Sequence, residues 1–244
     1  MSTFWIALGL SLLGGLGGLL IASGVLLIHD SLRARLIPWL VSYAVGALLG
    51  ISMMGLLPES LTALPATHVF GTLLGGIMLF FVLEKLVLWR HCHTHDCEVH
   101  ESTVASVMIG DTFHNFVDGA VIGAAVLTSI PLGVSTAIAV AAHEIPQEIG
   151  DFAILLHAGY SRQRALLLNV LSALASVAGA LGTFVAFDVM PRTLPYFLVI
   201  AASSFLYVAM ADLIPGLHRG RTDASSLRQI VLIALGIATM VWFS

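Results

Sequence analysis

Charge is what this sequence has least of. Asp, Glu, Lys and Arg together make up 10% of its 244 residues, against roughly 25% in an ordinary soluble domain. A soluble protein of this length must cover its surface with polar side chains, and this sequence has too few of them. Apolar residues account for 58% of the chain. The composition therefore excludes a soluble globular protein and indicates a polytopic membrane protein.

Two further scarcities exclude other classes of protein. The ten Lys and Arg residues are spread along a chain of net charge −4, so they form no basic patch and we expect no nucleic-acid partner. The two cysteines, Cys92 and Cys97, lie in the connection that is assigned below to the cytoplasm, a reducing compartment, so no structural disulfide is expected.

Long apolar runs recur along the whole chain. Because a hydrocarbon core of about 30 Å needs about 20 apolar residues per helix, we predict an all-α protein that crosses the lipid bilayer eight times. The predicted spans are residues 3–28, 36–57, 67–90, 104–130, 131–157, 163–187, 194–215 and 227–243. Residues 1–244 are expected to form a single transmembrane domain.

The basic residues orient this bundle. Nine of the ten lie in or beside the first, third, fifth and seventh connections between spans, and Arg192 alone lies in an even-numbered connection. Basic residues favour the cytoplasmic side of a membrane. We therefore expect the odd connections in the cytoplasm, both termini outside, and a multi-pass protein of the plasma or inner cell membrane.

The third connection is the main hydrophilic insert. Residues 91–103 contain four histidines and both cysteines, ligand types that suit a soft divalent metal such as zinc. Their spacing matches no closed zinc site. We interpret the segment as a cytoplasmic His/Cys-rich loop that gathers metal weakly, and a solvated loop without ligands is the alternative.

Ionisable residues are concentrated in the fourth and fifth spans. Such groups are costly inside a membrane and indicate function. On a helix, Asp111, His114 and Asp118 fall on one face, and His143 and Gln147 form an i, i+4 pair. Between residues 111 and 151, the other ionisable or amide residues are Asn115, Glu144, Glu148 and Asp151.

Imidazole and carboxylate groups together are typical ligands of Zn²⁺, Fe²⁺ and Mn²⁺. Two such helices side by side would present these groups across a shared seam, and Pro146 would kink the fifth span where they cluster. The sequence therefore predicts a metal site between spans four and five. Helix packing alone and a proton relay without metal are the alternatives.

The two central motifs resemble the paired signatures of the ZIP (Zrt/Irt-like) metal transporter family, closest to its LIV-1-like branch. The motifs are residues 114–119, His-Asn-Phe-Val-Asp-Gly, and residues 143–151, His-Glu-Ile-Pro-Gln-Glu-Ile-Gly-Asp. The resemblance covers nearly the whole chain. It implies eight helices in a 3+2+3 arrangement, a homodimer, and import of divalent metal toward the cytosol. A weak similarity within the sequence agrees with this arrangement. Residues 55–58 and 212–215, at the ends of the second and seventh spans, both finish in Leu-x-Pro, as an inverted repeat would produce.

The resemblance also assigns ligands position by position. It implies that His114, Asp118 and His143 hold one metal position and that Asn115 and Glu144 hold its neighbour. Residue 147 would bridge both. The branch has histidine there, whereas this chain has the weaker ligand Gln147.

Two interpretations are therefore kept: a site that binds one ion firmly, and a centre that binds two metal ions. In the one-ion reading, the Glu148 carboxylate lies nearby.

Two other functions fit part of this pattern. His143 and Glu144 begin like the His-Glu-x-x-His motif of zinc proteases, but Gln147 replaces the second histidine. We therefore expect a transporter and no enzyme, with zinc as cargo and no resident cofactor. Iron, manganese and cadmium remain possible cargoes, and a metal channel remains the main alternative to a carrier.

Overall fold

The computed structural model describes residues 2–92, 101–218 and 224–243. Helices fill nearly all of these ranges, in which no β-strand occurs. The α-helices are α1 Ser2–Leu26, α2 Asp30–Gly50, α3 Leu57–Ala63, α4 Ala66–Cys92, α5 Glu101–Thr128, α6 Ile130–His157, α7 Arg162–Ala173, α8 Ala175–Val189, α9 Leu194–Tyr207, α10 Ile214–His218 and α11 Ala224–Phe243. The predicted all-α fold is confirmed.

Several helical segments are suited to a bilayer. In the described part of the chain, six are long and apolar enough to cross a membrane: Thr3–Leu26, Ser31–Ala63, Ala66–Lys85, Arg162–Val189, Pro191–His218 and Ser226–Phe243. A multi-pass membrane protein is thereby confirmed. The central helices α5 and α6 have 28 residues each and carry the ionisable groups, so their crossing of the bilayer stays a prediction.

Two prolines that were expected to end helices lie inside continuous helical segments. Pro58 follows a π-helical segment, Ile51–Leu56, and the helix continues as α3 to Ala63. Pro215 follows a second π-helical segment, Val208–Leu213, and the helix continues as α10. A π-helical turn is wider than an α-helical turn and accommodates the proline ring, so the predicted ends at residues 57 and 215 are too early.

The sixth predicted span differs in another way. It consists of α7 and α8, which are separated at Leu174. The boundary between spans four and five is at Ser129, where the Ser129 hydroxyl accepts a hydrogen bond from the Leu132 N–H and begins α6.

The helices pack in pairs that correspond between the two halves of the chain. Helix α1 packs along α6, and α8 packs along α5; likewise α2 packs along α11, and α9 packs along α4. If the first three spans are exchanged with the last three, and α5 with α6, the α1–α6 contact becomes the α8–α5 contact. The α2–α11 contact becomes the α9–α4 contact in the same way. The two π-helical segments lie at equivalent places in this scheme.

Glycines allow two of these pairs to approach closely. A Cβ atom at Gly119 or Gly179 would overlap the backbone of the facing helix in the α5–α8 pair. Gly46 and Gly236 have the same role in the α2–α11 pair. Small residues at helix contacts are typical of membrane proteins. These contacts fix α5, which carries part of the candidate site.

The predicted His/Cys-rich loop falls mostly outside the described residues. Helix α4 ends at Cys92 and α5 begins at Glu101, and residues 93–100 lie between the described ranges. The metal-gathering role of segment 91–103, and the treatment of residues 1–244 as one domain, stay predictions.

Candidate metal centre

Helices α5 and α6 pack side by side and bring four potential ligands together. His114 and Asp118 are one turn apart on α5, and His143 and Glu144 are neighbours on α6. Each offers one ligand atom, and these atoms all lie within 4.8 Å of one another. Asp118, His143 and Glu144 are buried, whereas the His114 side chain is 21% exposed. The cluster is therefore enclosed on most sides and accessible past His114.

The interatomic distances approach those of a zinc coordination sphere. The His143 Nε2 atom lies 3.0 Å from Asp118 Oδ2 and 3.1 Å from His114 Nε2. The Glu144 Oε1 atom lies 3.7 Å from His114 Nε2 and 4.0 Å from His143 Nε2. Ligands at zinc–nitrogen distances of about 2.0–2.1 Å are about 3.3 Å apart in a tetrahedron. The separations, which reach at most 4.8 Å, thus exceed the tetrahedral value by no more than about 1.5 Å.

The His143 ring is oriented by its surroundings. Its Nδ1 atom lies 3.0 Å from the Ala139 carbonyl oxygen, to which it donates, so Nε2 remains available toward the cluster. The Phe205 ring packs edge-on at 5.7 Å between ring centroids. A histidine ligand with its second nitrogen bonded in this way has a fixed tautomer and direction.

Glu144 lies against a glycine of α1. A Cβ atom at Gly18 would approach the Glu144 Cβ to 2.8 Å, so the glycine leaves space for the carboxylate stem. Both Glu144 carboxylate oxygens are buried and have no hydrogen-bond donor among the described residues. A buried carboxylate without a donor attracts a cation strongly.

Asn115 and Gln147 contact a different group. The Asn115 amide nitrogen donates to Asp111 Oδ1 at 3.0 Å, and the Gln147 amide nitrogen donates to the same oxygen at 3.3 Å. Asp111 thus links α5 to α6 one turn away from the four-residue cluster. The Asn115 Oδ1 atom is buried and unpartnered within the described ranges. The structure brings together four of the seven predicted site residues and places these two beside them.

Glu148, the seventh predicted residue, lies outside the cluster. It is buried, and neither of its carboxylate oxygens has a partner in the described part of the chain. Asp111 and Asp151 are near enough to interact with it electrostatically. The sequence showed Asp111 on the helix face shared with His114, but its bond to Gln147 depends on how α5 and α6 align, which spacing within one helix does not specify.

A cavity of about 1000 Å³ leads away from the cluster. His114 and His143 lie at one end, and Gln147 and Asp151 continue the lining along α6. Asp212, of the second π-helical segment, also lines the cavity. A hydrated ion could move from the cluster along this polar wall.

Known proteins resemble this chain in the same regions. The ZIP zinc transporter family profile matches residues 90–244. Zinc transporter ZIP13 of Pongo abelii is 33% identical over 224 residues, covering 84% of this chain and 66% of that protein. Zinc transporter ZIP4 of Homo sapiens is 45% identical over 115 residues, covering 47% of this chain and 18% of that protein. Zinc transporter ZIP10 of Danio rerio is 42% identical over 133 residues, covering 52% and 16%. The chain thus matches less than two thirds of the length of each.

Proposed function

Because the chain belongs to the ZIP zinc transporter family, we propose that it carries divalent transition-metal ions across a membrane, with zinc as the main cargo. The observation that carries the proposal is the cluster of His114, Asp118, His143 and Glu144, whose ligand atoms lie within 4.8 Å of one another. Two imidazoles and two carboxylates neutralise a dication and match its preferred ligands. The relatives named above are transporters by name, which supports transport rather than enzyme activity.

In this proposal the chain's residues take distinct parts. His143 and Asp118 bind the ion on the buried side of the site, and the Glu144 carboxylate adds negative charge from α6. His114, which lines the cavity, is the ligand that binds and releases the ion there. Asn115, Gln147 and Glu148 form a polar surround, in which an amide at position 147 favours one firmly held ion over two. The buried carboxylates favour the loaded site because a cation relieves their repulsion.

The proposed direction is from outside the cell toward the cytosol. The cavity contains Arg35 and Arg228 at the end away from His143, and both arginines belong to connections assigned to the cytoplasm by their charge. The paired helix contacts support a 3+2+3 arrangement, and the distribution of basic residues supports both termini outside. A homodimer in the plasma or inner cell membrane completes the proposal.

Metal uptake into proteoliposomes tests the proposal directly. We expect saturable zinc uptake by the purified protein, and a loss of at least about tenfold in both His114→Ala and Glu144→Ala, since each removes one of four ligands. Zinc, cadmium, iron and manganese are compared by competition, and counterflow distinguishes a carrier from a channel. Unchanged uptake of all four metals in both variants would refute the assigned site.

Uptake should also depend on pH. Free imidazole takes up a proton near pH 6.5, and a protonated ligand cannot bind metal. Acidification from neutral pH on the side from which zinc enters should therefore raise the zinc concentration needed for half-maximal uptake. Initial rates measured against zinc concentration at several pH values check this. A half-saturation constant that stays constant through this range would contradict histidine ligation.

A change at position 147 tests the number of ions. Gln147→His places an imidazole one turn after His143, so we expect zinc bound per chain to rise from one toward two. Elemental analysis after equilibrium dialysis measures this ratio. Gln147→Leu, of similar size and without ligand atoms, is the matched control and should still bind one ion. Two ions already bound by the unmodified protein would show that Gln147 does not limit the site.

A further inference from the structure

Two arginines line the cavity at the end away from the histidine cluster. Arg35 lies on α2 and Arg228 on α11, and both border the cavity together with Trp39 and Gln229. Among the described side chains, neither Arg35 nor Arg228 forms an ion pair with a carboxylate. The same cavity is thus lined by two histidines, by Asp151 and Asp212, and by two arginines that have no carboxylate partner among the described side chains.

Helix pairing brings the two arginines to the same place. Gly46 and Gly50 of α2 contact Ile233 and Ile237 of α11, so residue numbers rise together and the two helices run parallel. The first turns of both helices therefore lie at the same end of the pair. The Arg228 guanidinium lies over the Trp39 ring, 5.8 Å from its centroid. Trp39 is one turn after Arg35 on α2, so Arg35 lies on the helix face that carries this ring.

This end of the cavity is separate from the metal cluster. Ile37 and Leu40 of α2 pack against the cluster that contains Ile145 and Ile149 of α6, and Arg35, which precedes Ile37, lines the cavity together with Asp151, which follows Ile149. Asp151 is eight residues from His143 on α6, which corresponds to about 12 Å along the helix. The arginines are therefore too far along α6 to belong to the ligand sphere.

We propose that Arg35 and Arg228 form a binding site for a phosphate-type oxyanion at the mouth of the cavity. Guanidinium groups present planar pairs of N–H donors that match phosphate oxygens. Two such groups repel each other across a shared cavity, and an anion between them removes that repulsion. The Gln229 amide adds a neutral donor. The anion is inorganic phosphate from the cytosol or the phosphate of a lipid headgroup.

An oxyanion bound between Arg35 and Arg228 would affect the exit of metal through the cavity. Two guanidinium groups at the mouth repel a departing dication, and a bound oxyanion lowers that positive potential. This consequence rests on the proposed function. The binding site itself does not, so its test uses no metal and can fail or succeed independently of transport.

The experiment measures anion binding by the full chain in nanodiscs of phosphatidylcholine, with radiolabelled inorganic phosphate as the probe. A second arm measures phosphatidylglycerol retained by the protein after extraction from mixed vesicles, by native mass spectrometry. We expect saturable binding in at least one arm, weakened about tenfold in Arg35→Gln and in Arg228→Gln. The arm in which binding occurs identifies the source of the anion.

Arg164→Gln is the matched control. Arg164 is also exposed and lies over an aromatic ring, that of Tyr160 at 4.9 Å, but it does not line the cavity. Arg35→Lys and Arg228→Lys keep the charge without the planar donors, so intermediate binding is expected and these variants replace the glutamine variants if those aggregate. Absence of saturable binding in both arms, or equal binding by all variants, would overturn the proposal.

Discussion

Replacement of His143 by alanine is expected to lower the affinity for zinc by at least about 100-fold. His143 Nε2 lies within 4.0 Å of ligand atoms of the three other cluster residues, and its ring is held by the Ala139 carbonyl and by Phe205. The substitution removes the best-oriented ligand and leaves two buried carboxylates facing one imidazole. Equilibrium zinc binding to the purified protein, followed with a competing chelator, measures the loss.

A matched histidine provides the control. His157 lies at the exposed end of the same helix and takes no part in the cluster, so His157→Ala should bind zinc as the unmodified protein does. His143→Asn retains a polar side chain of similar reach and should recover little affinity, since an amide is a weak zinc ligand. Binding by His143→Ala within threefold of the unmodified protein would exclude His143 as a ligand.

The ligands on a single helix could be predicted from the sequence. His114 and Asp118 are four residues apart, and any α-helix places such residues on one face. Their distance of 3.6 Å between Nε2 and Oδ2 follows from that spacing. The ends of most helices were predictable for a similar reason, because apolar length and capping residues such as Ser129 act locally.

The contacts between helices could not be predicted in the same way. Gln147 is one turn after His143, yet it bonds to Asp111 while His143 faces Asp118. Which of these residues faces the cluster depends on the rotation and axial position of α6 against α5. Contacts with other helices set that position, such as the approach of Gly18 to Glu144. The convergence of Arg35 and Arg228 likewise requires the parallel pairing of α2 and α11.

The continuation of the helices past Pro58 and Pro215 also could not be predicted from the sequence. Proline normally ends or kinks an α-helix because its ring clashes with the preceding turn. In both places the preceding turn is π-helical, as shown by the Leu57 N–H bond to the Ser52 carbonyl and the Ile214 N–H bond to the Ala209 carbonyl. The shared Leu-x-Pro pattern was visible in the sequence. The π-helical turns depend on packing and have no comparable local signal.

Replacement of Gly179 by alanine is expected to destabilise the protein strongly. A Cβ atom at this position would overlap the Phe116 carbonyl oxygen and press against the Ala120 amide nitrogen of α5. Backbone atoms cannot move aside as a side chain can, so the helices must separate. Overpacking typically costs about 1–3 kcal/mol, and we expect a cost of about 3 kcal/mol and a fall in Tm of about 6–12 °C. Thermal unfolding in detergent, followed by size-exclusion chromatography, measures this.

The same helix offers the matched control for this change. Gly182 is three residues further along α8, and a Cβ atom there would meet nothing within 4 Å. Gly182→Ala should therefore leave Tm unchanged or slightly higher, because alanine favours the helix. Since Phe116 lies between His114 and Asp118 on α5, separation of α5 from α8 should also weaken zinc binding by Gly179→Ala. Equal Tm values for the two variants would show that the α5–α8 contact does not hold α5 in place.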